Sequence, residues 1–117
     1  MAANRENPII QEKLSPDFER SIAYLDNLMV VICDFKNGPM KNPDPPHSHL
    51  HEQITYVVEG ELIFYLDQKE QKMVAGDIIT IPSGVPHCIK TLTNHVRLID
   101  SFNPIRNDFL KSDVKKS

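Results

Sequence analysis

The stretch on which the fold depends spans residues 47–60 and reads HSHLHEQITYVVEG. It places three of the chain's five histidines at alternate positions, immediately before a run rich in β-branched and aromatic residues. Side chains alternate across an extended strand, so His47 and His49 can point to one side while the small Ser48 faces away. Two imidazoles placed in this way can bind one metal ion. A further ligand must come from elsewhere, and the candidate is His87, at the end of GDIITIPSGVPH, where a turn returns the chain to the same side.

The histidine pattern alone leaves other interpretations open. An isolated histidine is more often a surface residue or a hydrogen-bonded core residue than a ligand, and a histidine run after prolines could be a mobile loop that scavenges metal. His51 lies beside Glu52, where the chain is expected to turn, so strand alternation does not place it, and we expect it not to be a ligand. His95, within TNH, is expected to be exposed.

Short β-type runs separated by turn residues occur along most of the chain. ERSIAYL, a DN turn and LMVVICDF are typical of a hairpin, whereas KNGPMKNPDPP holds four of the nine prolines and cannot be a strand interior or a helix. The runs that follow are QITYVV, ELIFYL, DIITI, HCIKTL and HVRLIDSF. This spacing, without a good helical window, predicts an all-β sandwich or barrel. Only IRNDFLKSDV, after Pro104, could form a short helix.

The length and composition are those of one ordinary globular domain: 117 residues, 40% apolar and 25% charged. We place an N-terminal arm at residues 1–18, either loose or docked as a strand, and a single domain at residues 19–117. A net charge of −3, with no basic run before the last residues, argues against a nucleic-acid partner. Because no apolar run is long enough to span a membrane, we expect no membrane partner. Without a recognisable secretory signal, the expected location is the cytoplasm. Cys33 and Cys88 have no CxxC spacing, and in such a reducing compartment we expect them to be reduced and buried.

The last β-type run carries a second group of candidate residues. In VRLIDSFNPIR, alternation puts Asp100 and Phe102 in one row with apolar residues. A carboxylate in such a row is costly to bury unpaired, so Asp100 either lines a wet cavity or has a partner. Arg106 follows Pro104 and could reach back over an opening, where it would either serve a site or form a structural ion pair with Asp100.

Two segments of the chain resemble the motifs of the cupin superfamily. Gly76, Pro82, Gly84 and His87 have the spacing of the second motif, and HSHLHEQITYVVEG resembles the first, with Gly60 setting the register. The resemblance implies a cupin double-stranded β-helix, which is a small jelly-roll barrel. Thr91 stands where the second motif often ends in Asn, which is a departure from the pattern.

The same resemblance implies a divalent metal ion held by His47, His49, Gln53 and His87. Gln53 stands where most cupins have a glutamate. Four neutral ligands leave the charge of the ion uncompensated, which favours Lewis acidity, and the missing carboxylate argues against oxygen chemistry. Nickel or zinc would suit an imidazole-rich site, and iron and manganese remain alternatives.

From residue 19 onward the chain is similar to the single-domain cupins of pectin and alginate degradation, which ketonise 4,5-unsaturated monouronates. That similarity rests on HSHLHEQITYVVEGEL and on an Asp-x-Phe-x₃-Arg segment, DSFNPIR. It implies that Asp100 is a general acid and base, that Arg106 binds the carboxylate of an anionic sugar and that Phe102 walls the pocket. Two alternatives stay open: a metal-dependent dioxygenase of the quercetinase type and a non-catalytic sugar-binding cupin.

A homodimer is also implied by the family resemblance. Ile54, Tyr56 and Val58, together with the hairpin around LMVVICDF, offer more apolar surface than one small barrel needs.

Overall fold

The computed structural model describes residues 9–110, and nine antiparallel strands lie within that range. The strands are β1 (Ile10–Ser15), β2 (Phe18–Tyr24), β3 (Met29–Phe35), β4 (Glu52–Glu59), β5 (Glu61–Leu66), β6 (Lys69–Val74), β7 (Ile78–Ile81), β8 (His87–Thr91) and β9 (Val96–Asn103). A six-stranded sheet has the order β1-β2-β3-β9-β4-β7, and a three-stranded sheet has the order β6-β5-β8. The predicted all-β jelly-roll barrel is confirmed.

The core lies between the inner faces of the two sheets, as the alternation of β4 illustrates. Gln53, Thr55 and Val57 are buried, while Ile54 and Tyr56, which point outward, are exposed. The fully buried apolar side chains come from both sheets and are Ile22, Met29, Val31, Val57, Leu62, Phe64, Met73, Ile81 and Val96. Burying such side chains from water is the main stabilising contribution to the fold, about 1.5–3 kcal/mol for each large one.

The predicted hairpin of β2 and β3 is confirmed by an unbroken antiparallel register between the two strands. The sheet begins earlier than the boundary at residue 18, because β1 pairs with β2 along residues 10–15. Of the two expectations for the arm, docking as a strand therefore describes this part of it. Residues 1–8 lie outside the described range.

Strand β6 has no counterpart among the predicted strands. Its sequence KEQKMV is polar and lacks β-branched residues apart from its last position, and only Met73 is buried. It lies at the edge of the smaller sheet, where charged side chains discourage pairing with another chain.

The turn between β4 and β5 requires glycine. Gly60 has φ of 88°, and a Cβ atom there would lie 2.2 Å from the carbonyl oxygen of His95. Both the backbone conformation and the close approach exclude other residues. Gly60 is also the residue that sets the register of the first motif, from which the histidines before it were assigned.

The C-terminal segment is helical at residues 107–110. Ile105 and Arg106, the first two residues of the predicted short helix, are not helical, and its residues 111–114 lie outside the described residues. Within residues 9–110 the structure has no helix with the length and apolarity needed to cross a membrane.

Candidate metal centre

Backbone pairing brings the two histidine segments together. His47 and His87 form an isolated antiparallel bridge, in which each backbone N–H donates to the other's carbonyl oxygen at 3.0 and 2.8 Å. The backbone N–H of Gly84 also donates to the carbonyl oxygen of His49 at 2.8 Å. The loop before β8 is thus held against the HSH segment at two points. As a result, one ligand atom from each of His47, His49 and His87 lies within 4.8 Å of the others.

Gln53 completes the cluster from the start of β4. It is the first inward-facing residue of that strand and is 7% exposed. Its Oε1 lies 3.0 Å from Nε2 of His49. The structure therefore brings together the four side chains that the sequence suggested as ligands.

Backbone carbonyls orient the imidazole rings. Nδ1 of His87 lies 2.9 Å from the carbonyl oxygen of Val85, and Nδ1 of His49 lies 3.0 Å from that of His51. A carbonyl oxygen only accepts hydrogen bonds, so each Nδ1 carries the proton and each Nε2 keeps its lone pair. A hydrogen bond from the other ring nitrogen is the usual support of a metal-binding histidine.

The contact between His49 and Gln53 fits a cation. Because Nδ1 of His49 donates to a carbonyl, Nε2 of the neutral ring has a lone pair, and it faces the amide oxygen of Gln53 at 3.0 Å. Two acceptors at this distance repel each other unless a positive charge lies between or beside them. Imidazole nitrogen and amide oxygen are suitable donors for nickel, zinc, iron or manganese, so the residues present fit a divalent metal ion.

The protonation of the rings agrees with this role. Burial lowers the pKa of His87 to about 4, while its hydrogen bond to Val85 acts in the opposite direction and nearby His47 and His49 add to the lowering. Burial and the neighbouring His49 also lower the pKa of His47. Neutral imidazoles are what a metal ion requires, because a protonated ring cannot coordinate it.

Asp100 is joined to the cluster through hydrogen bonds. Thr55 donates its hydroxyl to Oδ1 of Asp100 at 2.6 Å, and the thiol of Cys33 contacts Oδ2 at 3.6 Å. Thr55 in turn accepts a hydrogen bond from Nε2 of Gln53 at 2.9 Å. Burial raises the pKa of Asp100, and its hydrogen bonds to Thr55, Cys33 and Gln53 partly oppose that rise. A carboxyl group with a raised pKa suits proton transfer near neutral pH.

A cavity of about 640 Å³ lies beside this network. That volume is in the range of small-molecule sites, roughly 300–1,000 Å³. The side chains that line it include His47, Gln53, His87 and Asp100, and the further ones that matter for a ligand are Arg20, Phe102, Arg106 and Phe109. Phe102 is 3% exposed and packs its ring edge-on against His49, with 5.8 Å between centroids.

Arg106 lines the cavity but pairs with Asp108, not with Asp100. Its Nη2 lies 2.7 Å from Oδ2 of Asp108, and its guanidinium carbon stands 4.2 Å from the ring centroid of Phe109. The structural ion pair of Arg106 with Asp100 that the sequence left open is therefore not formed. Arg106 instead lines the cavity with its guanidinium paired to the exposed carboxylate of Asp108.

Three residues of this site were missed by sequence reasoning: Thr55, Arg20 and Phe109. Thr55 follows Gln53 at the next inward position of β4, so the same alternation could have identified it. Arg20 pairs with Glu12 across β1 and β2 and lies 4.0 Å from the ring centroid of Phe109, on the cavity wall. Nothing local to its own strand signals that position, because it depends on the C-terminal segment folding back.

The other two histidines lie outside the three-histidine cluster. His51 is not part of it, and burial together with nearby Arg106 lowers the pKa of His51. His95 is only partly exposed, at 30% of its side chain, and contacts the carboxylates of Asp34 at 2.8 Å and Glu59 at 3.1 Å. The expectation of a merely exposed His95 was thus incomplete, because its partners are remote in sequence.

The barrel and the imidazole cluster define a cupin, the class of small β-barrels that carries two histidine-containing motifs at the mouth. The chain belongs to the cupin family, since residues 34–102 match the family described as Cupin domain.

Individual relatives are more specific. The chain is 32% identical over 101 residues to the pectin degradation protein KdgF of Dickeya dadantii (strain 3937), which covers 85% of this chain and 89% of that protein. The structure of KdgF from a Halomonas species superposes with a TM-score of 0.75, at 30% identity, over 91% of this chain and 94% of that one. An RmlC-like cupin from Shewanella frigidimarina NCIMB 400 also gives a TM-score of 0.75, at 31% identity, over 90% of both chains.

Proposed function

We propose that this cupin is a metal-dependent enzyme that ketonises a 4,5-unsaturated monouronate, or isomerises a closely related sugar acid. One observation carries the proposal: His47 and His87 of the imidazole cluster line a single cavity of small-molecule size together with the buried Asp100 and with Arg106. Similarity to KdgF over most of both chains supports the substrate class, since that protein is named for pectin degradation.

Arg106 is proposed to bind the carboxylate of the sugar. A guanidinium and a carboxylate form two parallel, charge-assisted hydrogen bonds, which position the ligand as well as hold it. In the structure Asp108 occupies this role, with contacts of 3.3 Å to Nε and 2.7 Å to Nη2. A substrate carboxylate would take the place of the exposed Asp108 side chain.

Asp100 is proposed to move the proton. Ketonisation opens the sugar ring at carbon 1, releases the proton of the carbon 1 hydroxyl and adds a proton to carbon 4, so that a keto group forms at carbon 5. The atoms balance without a second reactant, and one group that both accepts and donates a proton is sufficient. Asp100 has the raised pKa that such a group needs and lies on the cavity wall.

The remaining parts of the site support these two steps. A divalent ion bound by His47, His49, Gln53 and His87 would supply Lewis acidity toward a substrate oxygen. Phe102, buried against His49, closes one wall and excludes water from the reacting face.

A cytoplasmic homodimer forms part of the same proposal. Both cysteines are free and buried, as in a reducing compartment. The outer face of β4 and its neighbour β7 exposes Ile54 at 51%, Tyr56 at 40% and Ile78 at 62%, and such a contiguous apolar surface fits a second copy of the chain.

The test is incubation of the purified protein with unsaturated galacturonate, mannuronate or guluronate monomers. The absorbance of the double bond should disappear faster than it does spontaneously, and a chelator should abolish the acceleration. Failure to accelerate the loss with any of these sugars would refute the proposal. Oxygen uptake during turnover would favour the dioxygenase alternative, and sugar binding without product would favour the binding protein.

A further inference from the structure

An amide ligand poses a problem of orientation that a carboxylate does not. The two oxygens of a carboxylate are equivalent, whereas the amide of Gln53 presents either an oxygen that can bind a cation or an NH₂ group that cannot. Gln53 therefore needs a neighbour that distinguishes the two ends. Its NH₂ group donates to the hydroxyl of Thr55 at 2.9 Å, and the carboxylate of Asp100, which that hydroxyl also contacts, interacts with Gln53 as well.

The hydroxyl of Thr55 can play this part because its single proton is already used. Thr55 donates that proton to Oδ1 of Asp100 at 2.6 Å, a short hydrogen bond of the kind made to a charged acceptor. Only lone pairs remain on the hydroxyl oxygen toward Gln53. The amide must then turn its NH₂ group to Thr55, which leaves Oε1 facing Nε2 of His49 at 3.0 Å.

From this chain of contacts we propose that Thr55 is a positioning residue for metal binding, which fixes the amide of Gln53 with its oxygen toward the imidazoles. Thr55 also joins the metal ligands to Asp100, so one side chain sets the geometry of both. The inference rests on the proposed metal-dependent function and adds a residue to it.

A purely structural role is the competing explanation, since Thr55 is fully buried. Two comparisons separate the explanations, one of Thr55→Val with the wild type and one of Thr55→Ser with Thr55→Ala. Thr55→Val keeps the shape and removes the hydroxyl, while Thr55→Ser and Thr55→Ala lose the same methyl group and differ only in the hydroxyl. Circular dichroism and Tm of the metal-free variants report whether each one folds.

The readout is the affinity for zinc alone, measured by competition with a chelator in the absence of sugar. Loss of the hydroxyl should weaken zinc binding by about 10–100-fold in Thr55→Val and Thr55→Ala, the range typical of residues that orient metal ligands. Thr55→Ser should bind zinc within about threefold of the wild type, because it keeps the hydrogen bond. If Thr55→Val fails to fold, the comparison of Thr55→Ser with Thr55→Ala decides.

A second background makes the test specific to the amide. In Gln53→Glu the ligand has no wrong orientation, so removing the Thr55 hydroxyl should weaken zinc binding by less than about threefold there. Equal losses in the wild-type and Gln53→Glu backgrounds would overturn the inference, and so would an unchanged affinity of Thr55→Val with Gln53 in place. If the wild type binds zinc and fails only to turn over sugar, the proposed substrate is wrong while this inference can still hold. A wild type that binds no divalent ion would refute both.

Discussion

Replacing Asp100 by Asn separates catalysis from stability. Asn has nearly the same shape and can still accept the hydrogen bond from Thr55 through its amide oxygen, but it cannot take up and return a proton. Loss of a general acid and base lowers turnover by about 10²–10⁴-fold. This corresponds to about 3–5 kcal/mol on the activation barrier. Metal affinity should stay within about threefold of the wild type, because the ligands are unchanged.

Asp100→Asn should stabilise the metal-free protein even though it lowers activity. Burial raises the folded-state pKa of Asp100, so the charged carboxylate destabilises the folded protein. The unfolded chain releases this proton more readily. The destabilisation by charged Asp100 is therefore absent below the ordinary pKa of Asp. It grows as the pH rises from there through the raised folded-state pKa of Asp100. Metal-free Asp100→Asn should accordingly gain Tm relative to metal-free wild type above about pH 4, the ordinary pKa of Asp.

The assay combines the rate of double-bond loss with thermal unfolding of the chelated proteins. Turnover of Asp100→Asn within about threefold of the wild type would eliminate the assigned role. A variant that loses both turnover and Tm at neutral pH would show instead that Asp100 is mainly structural.

Three other predictions concern separate parts of the molecule. Arg106→Gln should raise KM for the monouronate by about tenfold or more, while kcat changes less. Asp108→Asn is the matched control and should not raise KM, because it frees the guanidinium of Arg106. An unchanged KM in Arg106→Gln would exclude carboxylate binding by Arg106. Hydrogen bonds to Asp34 and Glu59 raise the pKa of His95. The contribution of His95 to Tm should therefore be fully present below about pH 6.5 and disappear as the pH rises through the raised pKa. A Tm difference between wild type and His95→Gln that does not vary with pH would contradict this prediction. Ile54→Glu should convert the dimer to a monomer, as measured by light scattering, whereas Val74→Glu, at an exposed site on the other sheet, should leave it dimeric. A wild type that is monomeric would refute the proposed dimer.

The part of the fold that follows from local pattern could be predicted from the sequence. Alternation over QITYVV gave the faces of β4, and Gly60 set the register because no other residue fits its turn. The same period suggested that His47 and His49 point to one side, which the structure shows for their ligand atoms. These features depend on the geometry of one strand and one turn.

The features that the sequence did not indicate depend on contacts between distant segments. Strand β6 has almost no apolar pattern, since an edge strand needs only Met73 for the core. Arg106 lines the cavity, but its pairing with Asp108 depends on the helical turn after Pro104, which the sequence pattern did not indicate. The interior position of Arg20 required β1 to dock on β2 as well.

The most direct test of the account is the metal stoichiometry and ligand set of the purified protein. After loading with nickel, the protein should hold one ion per chain, and X-ray absorption should show imidazole nitrogens together with oxygen. Replacing His87 by Ala should weaken binding strongly, because that ring completes the cluster from the second motif. Nickel binding that is unaffected by His87→Ala, or no retained ion in the wild type, would contradict the account.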